Sequence, residues 1–392
     1  MRIEFTKEQK QLRHDLRTYF ADLMTPERKA ATKGIEAGPI FRDVVRQMGK
    51  DGVLTLGWPK KFGGQGRGMI DQLILFEESW VAKAPFPVVT ISTIAPALMQ
   101  LGTEEQKKKY LPRIAAGEII FAIGYSEPGA GTDLASLKTK AEPDGDDFIV
   151  NGTKVYTSGA NGADHIWLAT RTGGDDKPGA RGISVMIVDT DDPGFSLAPI
   201  HTVAGLRTNM TYYDNIRVTP DRIVGGLNQG WGVIRSQLNH ERISLAAMSI
   251  NGIKCYLDLL EAAQTEDSDG RAALDDSLVQ ARIGEVYCKF AALNALNLRM
   301  AWQIDNDCVS NALAAGVKVF SCDELVTTMR LMMDLMGQGA SLRAGSAGAE
   351  LEGEIDDIYR MAQLNTFGGG AAEVMRCLVA ADGLGLPNTI AR

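Results

Sequence analysis

Three stretches hold residues whose types and spacing allow chemistry. "IGYSEPGAGTDLASLKTKA" at 123–141 gathers a proline, nearby glycines and several hydroxyls. A turn of that kind exposes N–H and O–H groups that suit a flat polar heterocycle or a phosphate. Taken alone, a purely structural turn is the simpler account. "LNTFGGGAAEVMR" at 364–376 sets three consecutive glycines, Gly368 to Gly370, before a helical run. Its backbone reads as a loop, an anion cradle, or a site from which a working side chain is gone. "NHERISLA" opens a helical pattern with Glu241 directly before Arg242. A first-turn glutamate there is favoured by the helix dipole, or is paired with the arginine.

Other chemistries are not supported. The phosphate loop GxxxxGK[ST], the strand-to-helix GxGxxG, HExxH and GxSxG are absent, and "HERIS" shares only its first two letters with the zinc motif. Four scattered histidines and no cysteine pair predict no metal site. A formal charge of −8 gives no electrostatic reason for nucleic acid or an anionic membrane as partner. The five cysteines (Cys255, Cys288, Cys308, Cys322, Cys377) are expected to be buried free thiols in a reducing compartment. "MRIEFTKEQKQLRHDLRTYF" lacks a signal-peptide core, and no apolar run approaches the ~18 residues of a membrane span. The expectation is a soluble, cytoplasmic protein.

The elements that must position these stretches fall into three blocks. Residues 1–118 read as helices: Thr6 and Gln9 have capping-box spacing, and Leu12, Leu16, Phe20 and Leu23 recur at helical period. "GWPKKFGGQG" at 57–66 is a loop. Residues 119–227 change character. "FIVNGTKVYTSGA", "HIWLAT", "GISVMIVDT" and "NIRVTP" are short runs rich in β-branched and aromatic residues, separated by turn clusters such as "GGDDKPGARG". No long helix fits between them, which predicts an antiparallel β domain, a barrel or sandwich. Residues 228–392 return to helical period, with a long amphipathic run "LVQARIGEVYCKFAALNALNLRMAWQID" as expected in a four-helix bundle. The fold class is α+β, in the order α, β, α.

"YSEPGAGTD" followed by "VNGTKVYTSGA" resembles the flavin-binding signature of the acyl-CoA dehydrogenase family. "GTEEQKKKYLPRIAAGE", "GLRTNMTYYDNIRVTP" and "NHER" extend the resemblance over nearly the whole chain. The resemblance implies FAD between the β domain and the C-terminal helices. Ile123, Tyr125, Ser126, Gly131 and Thr132 would line it on one side. Tyr156, Thr157 and Ser158 would pack on the other, with Ser126 and Ser158 donating hydrogen bonds and Tyr156 standing where many relatives have tryptophan. The implied reaction is α,β-desaturation of an acyl-CoA thioester: a carboxylate takes the α proton while the β hydrogen leaves as hydride to flavin N5. Such a base must be ionised yet poorly solvated, and the thioester oxygen must be hydrogen-bonded.

Two departures narrow what the resemblance implies. Gly369 stands where many relatives carry the base, while Glu241 matches the position used by others, immediately before an arginine. Glu241 is then the expected base, Asn239 and Arg242 contact CoA, and Gly369 keeps its N–H for the thioester oxygen. Where homotetrameric relatives have Arg-x-x-Phe-Gly reaching a neighbour's FAD, this chain reads "TEDSDGRAA", with Glu266 in the arginine's place. "MDLMGQGAS" from 333 is altered too. The resemblance is therefore to catalytic subunits of heteromeric α2β2 dehydrogenases of bacterial sterol degradation. A homologous second subunit would complete the FAD site, and an electron-transfer protein would be the acceptor. The glycines favour a bulky, steroid-side-chain acyl group. Alternatives are a short branched acyl-CoA, a flavin monooxygenase, or a non-catalytic partner subunit.

Overall fold

The first helix, α1 (Lys7–Leu23), starts where its capping signal lies. Thr6 Oγ1 accepts the Gln9 N–H at 3.2 Å, and Gln9 Oε1 accepts the Thr6 N–H at 3.0 Å. Leu12, Leu16, Phe20 and Leu23 are its buried stripe. In the computed structural model, residues 4–34, 36–174, 179–237, 249–266, 269–306, 308 and 310–387 are described. After α1 come α2 (Pro26–Thr32), α3 (Pro39–Lys50), α4 (Met69–Val81), α5 (Ala95–Leu101) and α6 (Glu104–Ala115). The last of these repeats the capping box with Thr103 and Gln106. The 57–66 loop contains a single 3-10 turn, Lys60–Phe62.

Eight strands follow: β1 (Phe121–Gly124), β2 (Lys140–Asp144), β3 (Asp147–Lys154), β4 (His165–Arg171), β5 (Ile183–Asp189), β6 (Phe195–His201), β7 (Arg207–Val218) and β8 (Ile223–Val224). Their order is β6-β7-β3-β2-β4-β5-β8, with β1 joined to β4. The expected all-antiparallel pairing needs correction. β1 runs parallel to β4, and β2 meets β4 in parallel at Lys140 and Arg171. The physical reason is connectivity. The β2–β3 hairpin is interposed between β1 and β4, long enough to return the chain in the same direction without a crossover helix.

β4 is buried on both faces. Trp167 and Ala169, with Ile183, Val185 and Ile187 of β5, enter the core built on α1 and α3 to α6. Ile166 and Leu168, with Met186 and Val188, face the opposite way toward Val150, Ile216 and Val218. The two-residue period of the strand thus sends alternate side chains into two different cores.

The helical period resumes at 230–237 (α7). It continues in α8 (Ile250–Gln264), α9 (Ser277–Asp305), α10 (Asn311–Met336), α11 (Glu354–Leu364) and α12 (Ala372–Leu378). Cys255 and Leu259, Val286 and Phe290, Met329 and Met332, and Ile355 share one core drawn from α8 to α11. Leu73 and Phe76 of α4 pack on Leu298 and Ala301 of α9 and Val317 of α10, which joins the first helical block to the bundle. Asp305 reinforces that joint by accepting the Met69 N–H at 2.8 Å, at the α4 N-terminus where a carboxylate is favoured. The expectation of buried thiols holds for Cys255 and Cys322 and fails for Cys288 and Cys308, which are exposed. Helical spacing alone does not say which side of a bundle helix meets a neighbour. Among the described residues, no helix is long and apolar enough to cross a membrane.

Glu77 and Glu78 of α4 are buried against α1. Arg13 Nη2 lies 2.5 Å from Glu77, Arg13 Nη1 lies 3.0 Å from Glu78, and Arg17 Nε lies 3.0 Å from Glu78. Burial raises the Glu77 pKa above its ordinary value of 4.5, against the opposing pull of Arg13. Removing one partner of a buried ion pair strands the other charge, so Arg13→Met is expected to cost about 3 kcal/mol at pH 7. With its folded-state pKa raised, Glu77 binds a proton more tightly in the native than in the unfolded chain. The variant should therefore regain stability as pH falls from neutral toward that ordinary value. Denaturant midpoints across that pH range check both the loss and its sign.

Candidate active site

β1 releases the chain into 125–132, and β3 releases it into 155–160. The structure brings these two flavin-signature segments together and ties them. The Val155 N–H donates to the Ser126 carbonyl at 2.8 Å, and Lys154 Nζ donates to the Tyr125 carbonyl at 3.0 Å. Lys154 has no exposed surface, and its ammonium also reaches Glu127 Oε1 at 2.8 Å. The same carboxylate accepts the N–H groups of Lys138 at 2.7 Å and Thr139 at 2.8 Å. Burial pushes the Lys154 ammonium down to about 8, against the opposing pull of Glu127. Burial also works against the Glu127 charge, but Lys154 and Thr139 outweigh it and hold the carboxyl below its usual value. A buried charge pair with this many hydrogen bonds fixes a loop in one conformation.

Above that anchor the loop backbone is open. A Cβ built on Gly129 or Gly131 would meet nothing within 4 Å, and Gly131 and Thr132 are exposed. Ser126 is partly exposed, and Ile123 packs against the core below it. On the other segment, Tyr156 adopts φ +60° and is 66% exposed. A left-handed non-glycine residue costs on the order of 1–3 kcal/mol, so the surrounding strands must over-determine it. The result is an aromatic surface beside exposed backbone, a shape that fits a flat, partly polar ring.

Two of the residues that the resemblance sets against the flavin are held by β7. Thr157 is fully buried, with its hydroxyl 3.1 Å from that of Thr211. Its N–H donates to the Asn209 carbonyl at 3.0 Å, and its carbonyl accepts from Asn209 Nδ2 at 3.1 Å. It offers no surface to a ring, and it fixes the segment after β3 that carries Tyr156. Ser158 is exposed, but its hydroxyl already donates to Thr208 Oγ1 at 3.0 Å. In both cases the β7 partner, which no local motif marks, claims the group.

Tyr125 connects the loop to α7. Its hydroxyl accepts from Trp167 Nε1 at 3.1 Å and donates to Gln237 Oε1. Gln237 is fully buried and lies four positions before Glu241 in sequence. Asn239, Glu241 and Arg242, with His240, lie outside the described residues.

The glycine run forms the turn between α11 and α12. Gly368 N–H donates to the Leu364 carbonyl and Ala372 N–H to the Thr366 carbonyl, both at 2.8 Å. Gly369 sits at φ +69° and Gly370 at φ +113°. Among the described residues nothing accepts the Gly369 N–H. Lys318 of α10 reaches into this turn, with Nζ 2.8 Å from the carbonyls of Asn365 and Gly368. The Cys322 thiol donates to the same Asn365 carbonyl at 2.8 Å. At the other end of the bundle, Glu266 is exposed just after α8. Lys154, Glu127, Gln237 and Lys318 were not singled out from the sequence. The available signal was a charge inside an apolar run, "VNGTKVY" for Lys154 and "AAGVKVFSC" for Lys318.

Three family models match the chain: the acyl-CoA dehydrogenase N-terminal domain over residues 6–118, the middle domain over 122–216 and the C-terminal domain over 228–384. The acyl-CoA dehydrogenases FadE26 and FadE29 of Mycobacterium tuberculosis are 45% and 43% identical to it, each over 99% of this chain and 99% of their own length. A chain of the ChsE4-ChsE5 complex from the same organism superposes with a TM-score of 0.93 at 46% identity, covering 99% of this chain and 100% of that one. A chain of the Tcur3481-Tcur3483 steroid ACAD gives a TM-score of 0.94 at 44% identity, with the same coverage. With all three models matched in order along its length, the chain belongs to the acyl-CoA dehydrogenase family.

Proposed function

We propose that this chain is the catalytic subunit of a heteromeric, FAD-dependent dehydrogenase that desaturates a bulky acyl-CoA, of the steroid-side-chain class, between its α and β carbons. The observation that carries this reading is the glycine turn. Gly369 combines a left-handed backbone, no side chain and an N–H that no described residue accepts. Such a position can donate to a thioester oxygen while leaving room for a branched or ring-bearing acyl group. The full-length similarity to a steroid ACAD supports the substrate class.

The α proton needs a carboxylate base, and Glu241 is assigned that role. Its removal of the proton places negative charge on the thioester oxygen, where the Gly369 N–H stabilises it. Asn239 and Arg242, flanking Glu241 in sequence, are assigned to CoA. The open backbone of Gly131 and Thr132, the Ser126 hydroxyl and the exposed Tyr156 ring fit one face of FAD, with Ile123, Tyr125, Thr157 and Ser158 supporting them. When bound, FAD supplies the acceptor for the β hydride, and an electron-transfer protein takes the electrons onward. Glu266 is a poor neighbour for a diphosphate, so a homologous second subunit is assigned the remaining FAD contacts. The two-component complexes among the similar structures support that assignment.

Three outcomes test the reading. Co-expressed with a homologous subunit from its own genome, the chain should purify as a stoichiometric complex with full flavin content. Full flavin and activity in the lone chain would sink the heteromer. In the complex, Glu241→Gln should keep its flavin and lose about 10²–10⁴-fold in anaerobic flavin bleaching by the acyl-CoA. Unchanged bleaching removes Glu241 as base, and isobutyryl-CoA outperforming a steroid thioester removes the bulky substrate. Gly369→Glu, which returns a carboxylate to the turn, should not rescue Glu241→Gln. A side chain at that left-handed φ should also lower stability by about 1–2 kcal/mol, read by thermal melting.

A further inference from the structure

Lys318 is the least expected feature of the bundle. It lies on α10 directly after the core residue Val317, in a run that is otherwise apolar. Among the described residues, no carboxylate lies within ion-pair distance of its ammonium. Among the described residues it donates to two main-chain carbonyls, those of Asn365 and Gly368, each at 2.8 Å, with the Cys322 sulfur also beside it. A cation near the C-terminus of α11 is favoured by the helix dipole. That accounts for the Asn365 contact, one residue beyond the helix, but not for the Gly368 contact three residues later.

The Gly368 carbonyl belongs to the same peptide unit as the Gly369 N–H. Among the described residues no peptide bond is cis, so this unit is trans, and its C=O and N–H point in opposite directions. Holding the carbonyl therefore fixes the direction of the N–H. Glycines at 368, 369 and 370 supply little torsional restraint of their own, so an external group must impose one. A hydrogen bond from an ammonium also polarises the amide, and chains of hydrogen bonds strengthen one another by roughly 10–30% per bond.

We infer that Lys318 is a positioning residue for the reaction, orienting and polarising the Gly368–Gly369 peptide so that its N–H is held ready for the thioester oxygen. The inference rests on the proposed role of Gly369 as that oxygen's donor. Lys318 touches neither substrate nor cofactor and acts through the peptide. The Cys322 thiol, on the other bonded carbonyl, steadies the turn but lies one peptide too early to direct the Gly369 N–H.

The test uses the FAD-loaded complex with its homologous subunit. The substrate is whichever of a steroid-side-chain CoA thioester and isobutyryl-CoA bleaches the wild-type flavin. Lys318→Met should lower kcat by about 10- to 100-fold with KM changed less than about threefold, because a donor is misdirected rather than deleted. The second readout is the carbonyl stretch of the [1-13C]-labelled 2,3-enoyl thioester bound to the oxidised complex, which needs no turnover. In Lys318→Met it should move to higher wavenumber, the sign of a less polarised carbonyl, while flavin content stays full. A cap acting only on helix stability would lower the melting temperature and leave that stretch in place. Should Lys318→Met fail to assemble, Lys318→Gln, which keeps a donor without the charge, is read the same way for a smaller shift of the same sign. A folded variant with wild-type stretch and kcat overturns the inference. If wild type is bleached by neither thioester, the proposed function fails first, and the inference falls with it.

Discussion

A lysine ammonium with no exposed surface is the constraint around which the site is built. Lys154 loses its hydration on folding, a cost that only a close carboxylate and well-placed carbonyl acceptors can offset. Glu127 and the Tyr125 carbonyl meet that demand together, and Glu127 in turn ties down the N–H groups of Lys138 and Thr139. One buried charge pair thereby fixes three separated points of the 125–139 excursion against the end of β3. Beyond one 3-10 turn, Leu134–Ser136, the loop needs little secondary structure of its own, and its outer backbone stays open at Gly129 and Gly131.

The same device recurs on the other side of the chain. Lys318 grips two carbonyls of a glycine turn as Lys154 grips one of a proline-glycine turn. Both lysines sit on regular elements, α10 and β3, and both reach into irregular backbone. Functional loops have to expose main-chain groups and so cannot satisfy them in ladders. A flexible four-carbon stem ending in three donors can hold such a loop from behind without covering its front. Between the two, the Tyr125 hydroxyl links β4 through Trp167 and α7 through Gln237. Gln237 of α7 is thus tied to the 125–132 loop by a buried polar contact.

Much of this was legible in sequence where the signal is local. Thr6 and Gln9 announced the first helix, the 3.6-residue stripe placed Leu12 through Leu23, and the strand runs stood out by composition. The paired segments 125–132 and 155–160 were legible as a motif, but what binds them was not. Lys154 and Glu127 are 27 residues apart in sequence, and nothing in composition says that one buried charge answers the other. Parallel pairing of β1 with β4 was hidden for a similar reason, since strand direction follows from the path of the chain between strands. Thr157 shows the converse. It lies inside the right motif, yet Asn209 and Thr211 of β7 consume its polar groups, and only the tertiary pairing shows it.

The glycine turn shows why a missing side chain is not simply an empty place. At φ +69°, position 369 favours glycine on backbone grounds alone, so a glutamate there would have to move the main chain as well as fill the space. A backbone free enough to take that conformation is also free to leave it, and three glycines in a row give the turn many alternatives. The Gly368 and Ala372 amides fix its ends, and among the described residues the central peptide is held from outside by the ammonium of Lys318. Freedom at the turn and restraint from α10 are therefore complementary. The glycines leave the turn without side chains, and the lysine removes the backbone disorder that such a turn would otherwise bring.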